Sequence, residues 1–146
     1  MAPIITLTAA TLLARLAGLL GADALDDWQT SLRIGLAAMF TLTGAVHFAP
    51  RFRDDMIRMI PERLPAPAAL VALTGVLELA GAAGLLIPAT ATAAALCLAA
   101  LLVAMFPANY SAARRGITLA GKPPTPLGIR TAEQALFIAL CLLAAP

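Results

Sequence analysis

The chain has 146 residues, of which 61% are apolar and 12% charged, with a mean hydropathy of +0.90 and a formal net charge of +2. Charged residues are about half as frequent as the roughly 25% of a soluble domain, which excludes an ordinary water-soluble globule. The ten basic residues form no stripe and are not interleaved with aromatics, which excludes a nucleic-acid interface.

The first apolar run is Ile4–Leu20. It has span length, contains Arg15, and precedes the acidic Asp23, Asp26 and Asp27. A spanning helix within an N-terminal anchor, residues 1–24, is the favoured reading, with Arg15 turned toward other helices. Two alternatives stay open. One is a cleaved signal peptide ending near the small-x-small Ala22-Asp23-Ala24, although no basic leader segment precedes it. The other is a helix lying in the membrane interface.

Residues 30–146 hold four clearer runs: Leu32–Ala49, Ala66–Ile87, Ala89–Pro107 and Leu127–Ala145. At about 1.5 Å per residue, each crosses about 30 Å of hydrocarbon. The fold class predicted is therefore all-α: a single polytopic transmembrane helical bundle of four core spans with an additional N-terminal helix. Between the first two runs a polar loop, Pro50–Pro65, is expected, with Pro65 and Pro67 suited to the first turn of the next helix. Pro88 cannot continue the helix before it, so the second and third runs read as an antiparallel hairpin. Gly75, Ala80, Gly81 and Gly84 lie along the second run. Ala80 and Gly84 have the spacing of a close helix–helix seam.

Eight of the ten basic residues fall in two stretches, Arg51–Arg63 and Arg114–Arg130, which alternate onto one side of four spans. The positive-inside rule places that side in the cytoplasm and the C-terminus outside.

Each run carries a polar residue inside it or at its end. Glu78 falls near the bilayer midplane, where a carboxylate is either a neutral acid bonded to a neighbouring helix or a group that carries a proton or binds a lipophilic ligand. Arg130, Glu133 and Gln134 share a helix face; local neutralisation with Arg130 snorkelling to the interface stands beside a ligand-binding role. His47 closes the first clear run, either as a helix-end hydrogen bonder or as a group that titrates near neutrality. It is the sole histidine, so no metal site is expected. Asn109 follows Pro107, which frees a carbonyl one turn back, so Asn109 reads as a cap or as a ligand contact. Cys97 and Cys141 lie at similar depth on different runs; small buried apolar residues are the plainer reading, a redox pair the other.

Six segments follow one another in order: Gly44-Ala45-Val46-His47-Phe48, Pro61-Glu62-Arg63-Leu64-Pro65, Leu73-Thr74-Gly75-Val76-Leu77-Glu78, Gly84-Leu85-Leu86-Ile87-Pro88, Phe106-Pro107-Ala108-Asn109 and Arg130-Thr131-Ala132-Glu133-Gln134. Together, over about Arg33–Leu143, they resemble the DoxX family of small bacterial membrane proteins. The resemblance implies a four-helix membrane bundle in the bacterial inner membrane, from which a spanning N-terminal helix would depart. It also implies a link to quinone-coupled redox or oxidative-stress systems. The family's recurring polar positions fall on His47, Glu78, Asn109, Arg130 and Gln134.

These readings make the expected function a bilayer protein that binds a lipophilic molecule, a quinone as candidate, in a polar intramembrane pocket. Any enzymatic role would be that of a quinone-linked oxidoreductase subunit with a redox partner, because the chain contains no recognisable electron carrier. The alternative is a non-enzymatic subunit or assembly chaperone for a partner membrane protein. A homo-oligomer is compatible with either.

Overall fold

Six helices make up most of the computed structural model, which describes residues 2–146: α1 (Ala2–Leu19), α2 (Trp28–Val46), α3 (Pro50–Met59), α4 (Pro67–Leu85), α5 (Pro88–Arg115) and α6 (Leu127–Ala144). A short 3-10 turn, Asp23–Leu25, joins α1 to α2. α1, α4, α5 and α6 are each long and apolar enough to cross a membrane. α2 reaches that apolar length only together with α3, from which it is bent by 88°.

α2, α4, α5 and α6 form a ring in which each helix packs on the next and α2 returns to α6. α1 lies outside the ring along α2. The Thr11 hydroxyl fills the notch left by Gly35, where a Cβ would come within 1.9 Å of it. The ring's core is Leu36, Met39 and Phe40 of α2, Ala82 and Leu85 of α4, Ala95 and Leu98 of α5, and Cys141 and Ala144 of α6. Large apolar side chains such as Leu13, Val76, Val103 and Leu143 are exposed on the outside. That distribution suits a lipid surround, where apolar groups need no shelter from water.

The first clear run starts earlier than expected, at Trp28, because the Asp27 side chain accepts a 2.7 Å hydrogen bond from the Thr30 amide and caps the first turn. The expected loop Pro50–Pro65 instead contains α3. Its Phe52, Met56 and Met59 fall on one helical face while Arg51, Asp54 and Arg58 take the other, a period concealed by shortness and flanking prolines. α5 also outruns expectation. It passes through Pro107 and ends at Arg115, where Gly116 takes the left-handed conformation at φ 66°. Its 28 residues span about 42 Å, so the last turns rise above the hydrocarbon.

The small-residue seam is real but shifted. Ala80 is exposed, and the contact with α5 is made by Gly81 and Gly84, where a Cβ would meet Leu98 at 2.5 Å and Ala94 at 2.8 Å. A second close approach joins α2 to α4. There a Cβ on Gly75 would lie 2.7 Å from His47 Cβ, and one on Gly44 would lie 3.1 Å from the Gly75 carbonyl. The two helices meet nearly backbone to backbone beneath His47.

At the end of the bundle away from the arginine-rich loops, Arg15 pairs with Asp26 and lies 5.4 Å over the Trp28 ring. Arg33 donates to the Ala144 carbonyl at 2.9 Å and the Pro146 carbonyl at 2.8 Å, satisfying the open C-terminus of α6. On the arginine-rich face, the Asp55 carboxylate accepts from Arg58 and, at 2.7 Å, from the Ala120 amide, which ties α3 to the α5–α6 connection.

Candidate functional site

All six helices and the α5–α6 connection contribute to the lining of a cavity of about 290 Å³ beneath the basic face. His47, Glu78, Asn109, Arg130 and Gln134 all line it, although they come from the C-cap of α2 and from α4, α5 and α6. Glu133 lines it as well. The polar residues singled out in the sequence are thus brought to one place.

Three of them form a directed chain. Arg130 Nη1 donates to Asn109 Oδ1 at 3.0 Å, Asn109 Nδ2 donates to Gln134 Oε1 at 2.9 Å, and Gln134 Nε2 donates to the Leu102 carbonyl. Pro107 offers no amide to the Val103 carbonyl one turn back, and the bond from Gln134 lands on the neighbouring Leu102 carbonyl. Asn109 is therefore not a helix-break cap: α5 continues past it, and its amide couples α5 to α6. Arg130 Nε also donates to the Thr125 carbonyl at 3.1 Å. Among the described residues the ion pairs are Arg15–Asp26, Arg58–Asp55 and Arg115–Glu62, so Arg130 is not neutralised by direct contact with Glu133.

His47 and Glu78 sit on the other side of the cavity, both only 3% exposed. The His47 Nδ1–H donates to the Thr43 carbonyl at 2.8 Å, which fixes the ring and leaves Nε2 as the free nitrogen of the neutral form. Gly75 provides the room for this ring against α4. Glu78 Oε2 has no hydrogen-bond partner although it is buried. An unpaired carboxyl oxygen in such a place costs about 1–3 kcal/mol, a standing penalty that a bound donor would remove.

A second cavity of about 350 Å³ lies between α3, α4 and α5. Its lining is mostly apolar, and it shares His47, Met56, Met105 and Asn109 with the polar cavity. Those four side chains form a common wall. Leu73 and Leu77, also on its lining, are exposed at the outer surface, so this chamber borders the outside of the bundle. The methionines of the wall were not singled out in the sequence; an apolar residue inside an apolar run carries no signal of which cavity it faces. Thr43, which lines the polar cavity and bonds the Met39 carbonyl at 3.2 Å, escaped for the same reason.

Cys141 is fully buried in the core and Cys97 is exposed on the outer surface of α5, both as free thiols. They face different surroundings, which removes the redox-pair reading. Among the described residues no group of three or more His, Cys, Asp or Glu side chains is placed to hold a metal ion.

No curated protein and no solved structure matches the chain. A family profile does match, over residues 36–145, and its description is a domain of unknown function, DUF8561. That finding overturns the resemblance to the DoxX family. The segments that carried the resemblance are short, and such fragments of apolar helix with a polar residue or proline recur in membrane bundles in general. The expectations drawn from that family lose its support, and the polar residues stand on their positions alone. The match begins inside α2 and leaves α1 outside it. Because it takes in most of the sequence, the chain belongs to the DUF8561 family.

Proposed function

We propose that this protein is a multi-pass plasma-membrane protein, with its basic face in the cytoplasm, that binds a lipophilic small molecule. The molecule's hydrogen-bonding head occupies the polar cavity and its apolar part the neighbouring chamber. The observation that carries this reading is the buried, unpartnered Oε2 of Glu78 in a cavity that also holds Arg130 and His47.

The chemistry of the lining supports a head group with carbonyl or hydroxyl oxygens. Protonated Glu78 donates a hydrogen bond, Arg130 offers fixed donors, and His47 Nε2 accepts or passes a proton. A quinone presents two such oxygens on one ring together with an apolar tail, so it is the ligand class proposed. A redox role would follow from that ligand, with the electrons supplied by a partner subunit. The cytoplasmic placement rests on the arginine-rich loops gathering at one end of the bundle.

The test is binding of a benzoquinone bearing a decyl chain to the purified protein in mild detergent, for wild type, Glu78→Ala and Arg130→Ala. Each variant is expected to weaken binding at least about tenfold, the equivalent of one hydrogen bond to a charged or buried group, with its melting temperature close to wild type. If both variants instead disappear from the membrane, the polar residues hold the fold and the reading fails.

A further inference from the structure

Two depressions outside the polar cavity share a border. The first, about 690 Å³, lies on the basic face between the α3–α4 connection and the end of α5. Arg63, Arg114 and Arg115 line it together with Phe106, Pro107 and Tyr110. The second, about 360 Å³, follows the outer groove between α5 and α6. It takes in Val103, Ala135 and Ile138 with the same Phe106 and Pro107.

The charge of the first depression is not balanced internally. Arg115 is committed, since Nη2 donates to Glu62 at 3.1 Å and Nη1 to the Arg58 carbonyl at 3.1 Å. Arg63 and Arg114 enter no ion pair among the described residues, and Arg114 lies 5.8 Å over the Tyr110 ring. One carboxylate thus faces three guanidiniums. The second depression is apolar and lies at hydrocarbon depth, with Val103 and Ala135 exposed on the outer surface. Basic pockets at the interface of membrane helices attract anionic head groups, and an apolar trough leading away from one suits an acyl chain.

We propose that the joined depressions bind an anionic glycerophospholipid, its phosphate between Arg63 and Arg114 and one acyl chain in the α5–α6 groove. This site is independent of the polar cavity's ligand. Gln134 borders both the groove and the cavity, so the chain lies one side chain away from the Arg130–Asn109–Gln134 network.

The full chain in detergent would be titrated with dioleoylphosphatidylglycerol and with dioleoylphosphatidylcholine, and retained lipid read by native mass spectrometry. Wild type is expected to prefer phosphatidylglycerol by about tenfold or more, as two interfacial charges provide. Arg63→Ala with Arg114→Ala erases the preference, and Ala135→Phe weakens retention of both lipids. Arg51→Ala with Arg53→Ala, which removes two charges elsewhere on the same face, leaves the preference intact. The proposal is overturned if wild type shows no preference, if the Arg51/Arg53 control erases it equally, or if Ala135→Phe changes nothing. It is equally overturned if inorganic phosphate displaces phosphatidylglycerol at millimolar concentration, because the site would then take the free anion.

Discussion

Asn109 carries more of the site than its half-buried position suggests. Its amide accepts from Arg130 and donates to Gln134, so one side chain joins α5 to α6 at membrane depth. Asn109→Leu removes both bonds and leaves a guanidinium donor and an amide acceptor unsatisfied. The expected loss is about 1–3 kcal/mol, read by thermal unfolding in detergent. An unchanged midpoint would show that water replaces both bonds.

Asp55 acts on the basic face, outside the spans. Its hydrogen bond from Arg58, and next the one from the Ala120 amide, hold its carboxyl below the ordinary value of 3.8. A group depressed on folding stabilises fully above that value and loses its contribution as pH falls below it toward the folded pKa. Melting temperature is therefore expected to fall on acidification below about pH 4, and less steeply in Asp55→Asn. At this scale the sequence was informative where a polar residue interrupted an apolar run: His47, Glu78, Asn109, Arg130 and Gln134 stand out for that reason. It was silent on Met56, Met105 and Thr43, which look like ordinary helix residues until their neighbours are known.

Glycines decide how closely the elements approach. A methyl group at Gly75 would sit 2.7 Å from His47 Cβ, an atom close to the backbone with little freedom to move. At Gly81 it would meet the whole end of the Leu98 side chain, Cγ at 2.6 Å included, and Leu98 is packed in the core. Gly75→Ala and Gly81→Ala are thus each expected to cost about 1–3 kcal/mol, and Gly75→Ala also to displace His47. Gly128, with open space around its Cβ position, serves as the neutral control in the same unfolding measurement. The long helices were legible from apolar run length, including the hairpin turn at Pro88. Their ends were not. Pro107 read as a stop, yet α5 continues through it to Arg115, with the Gln134 side chain of α6 bonded to the Leu102 carbonyl in the turn before it. α3 was missed because its ten largely polar residues, set between prolines, read as a loop despite their two distinct faces.

For the whole molecule, the ring α2–α4–α5–α6 was foreseeable from four apolar runs, whereas the choice of α2 as the helix that α1 covers depends on the fit of Thr11 into Gly35. The basic loops collect at one end, near both the polar cavity and the lipid groove, so orientation matters to each proposal. Arg63→Cys is expected to react with a membrane-impermeant maleimide only in permeabilised cells, and Ala89→Cys in intact ones. The reverse pattern would place the cavity mouth outside the cell.

The most direct test of the ligand-binding reading is to extract the lipophilic molecules that co-purify with the intact protein in mild detergent and compare them by mass spectrometry with those from Glu78→Ala. The account predicts one small molecule with an apolar tail and a carbonyl- or hydroxyl-bearing head, enriched in wild type and lost in the variant. The same extract from both proteins, with Glu78→Ala folded and in the membrane, would contradict it.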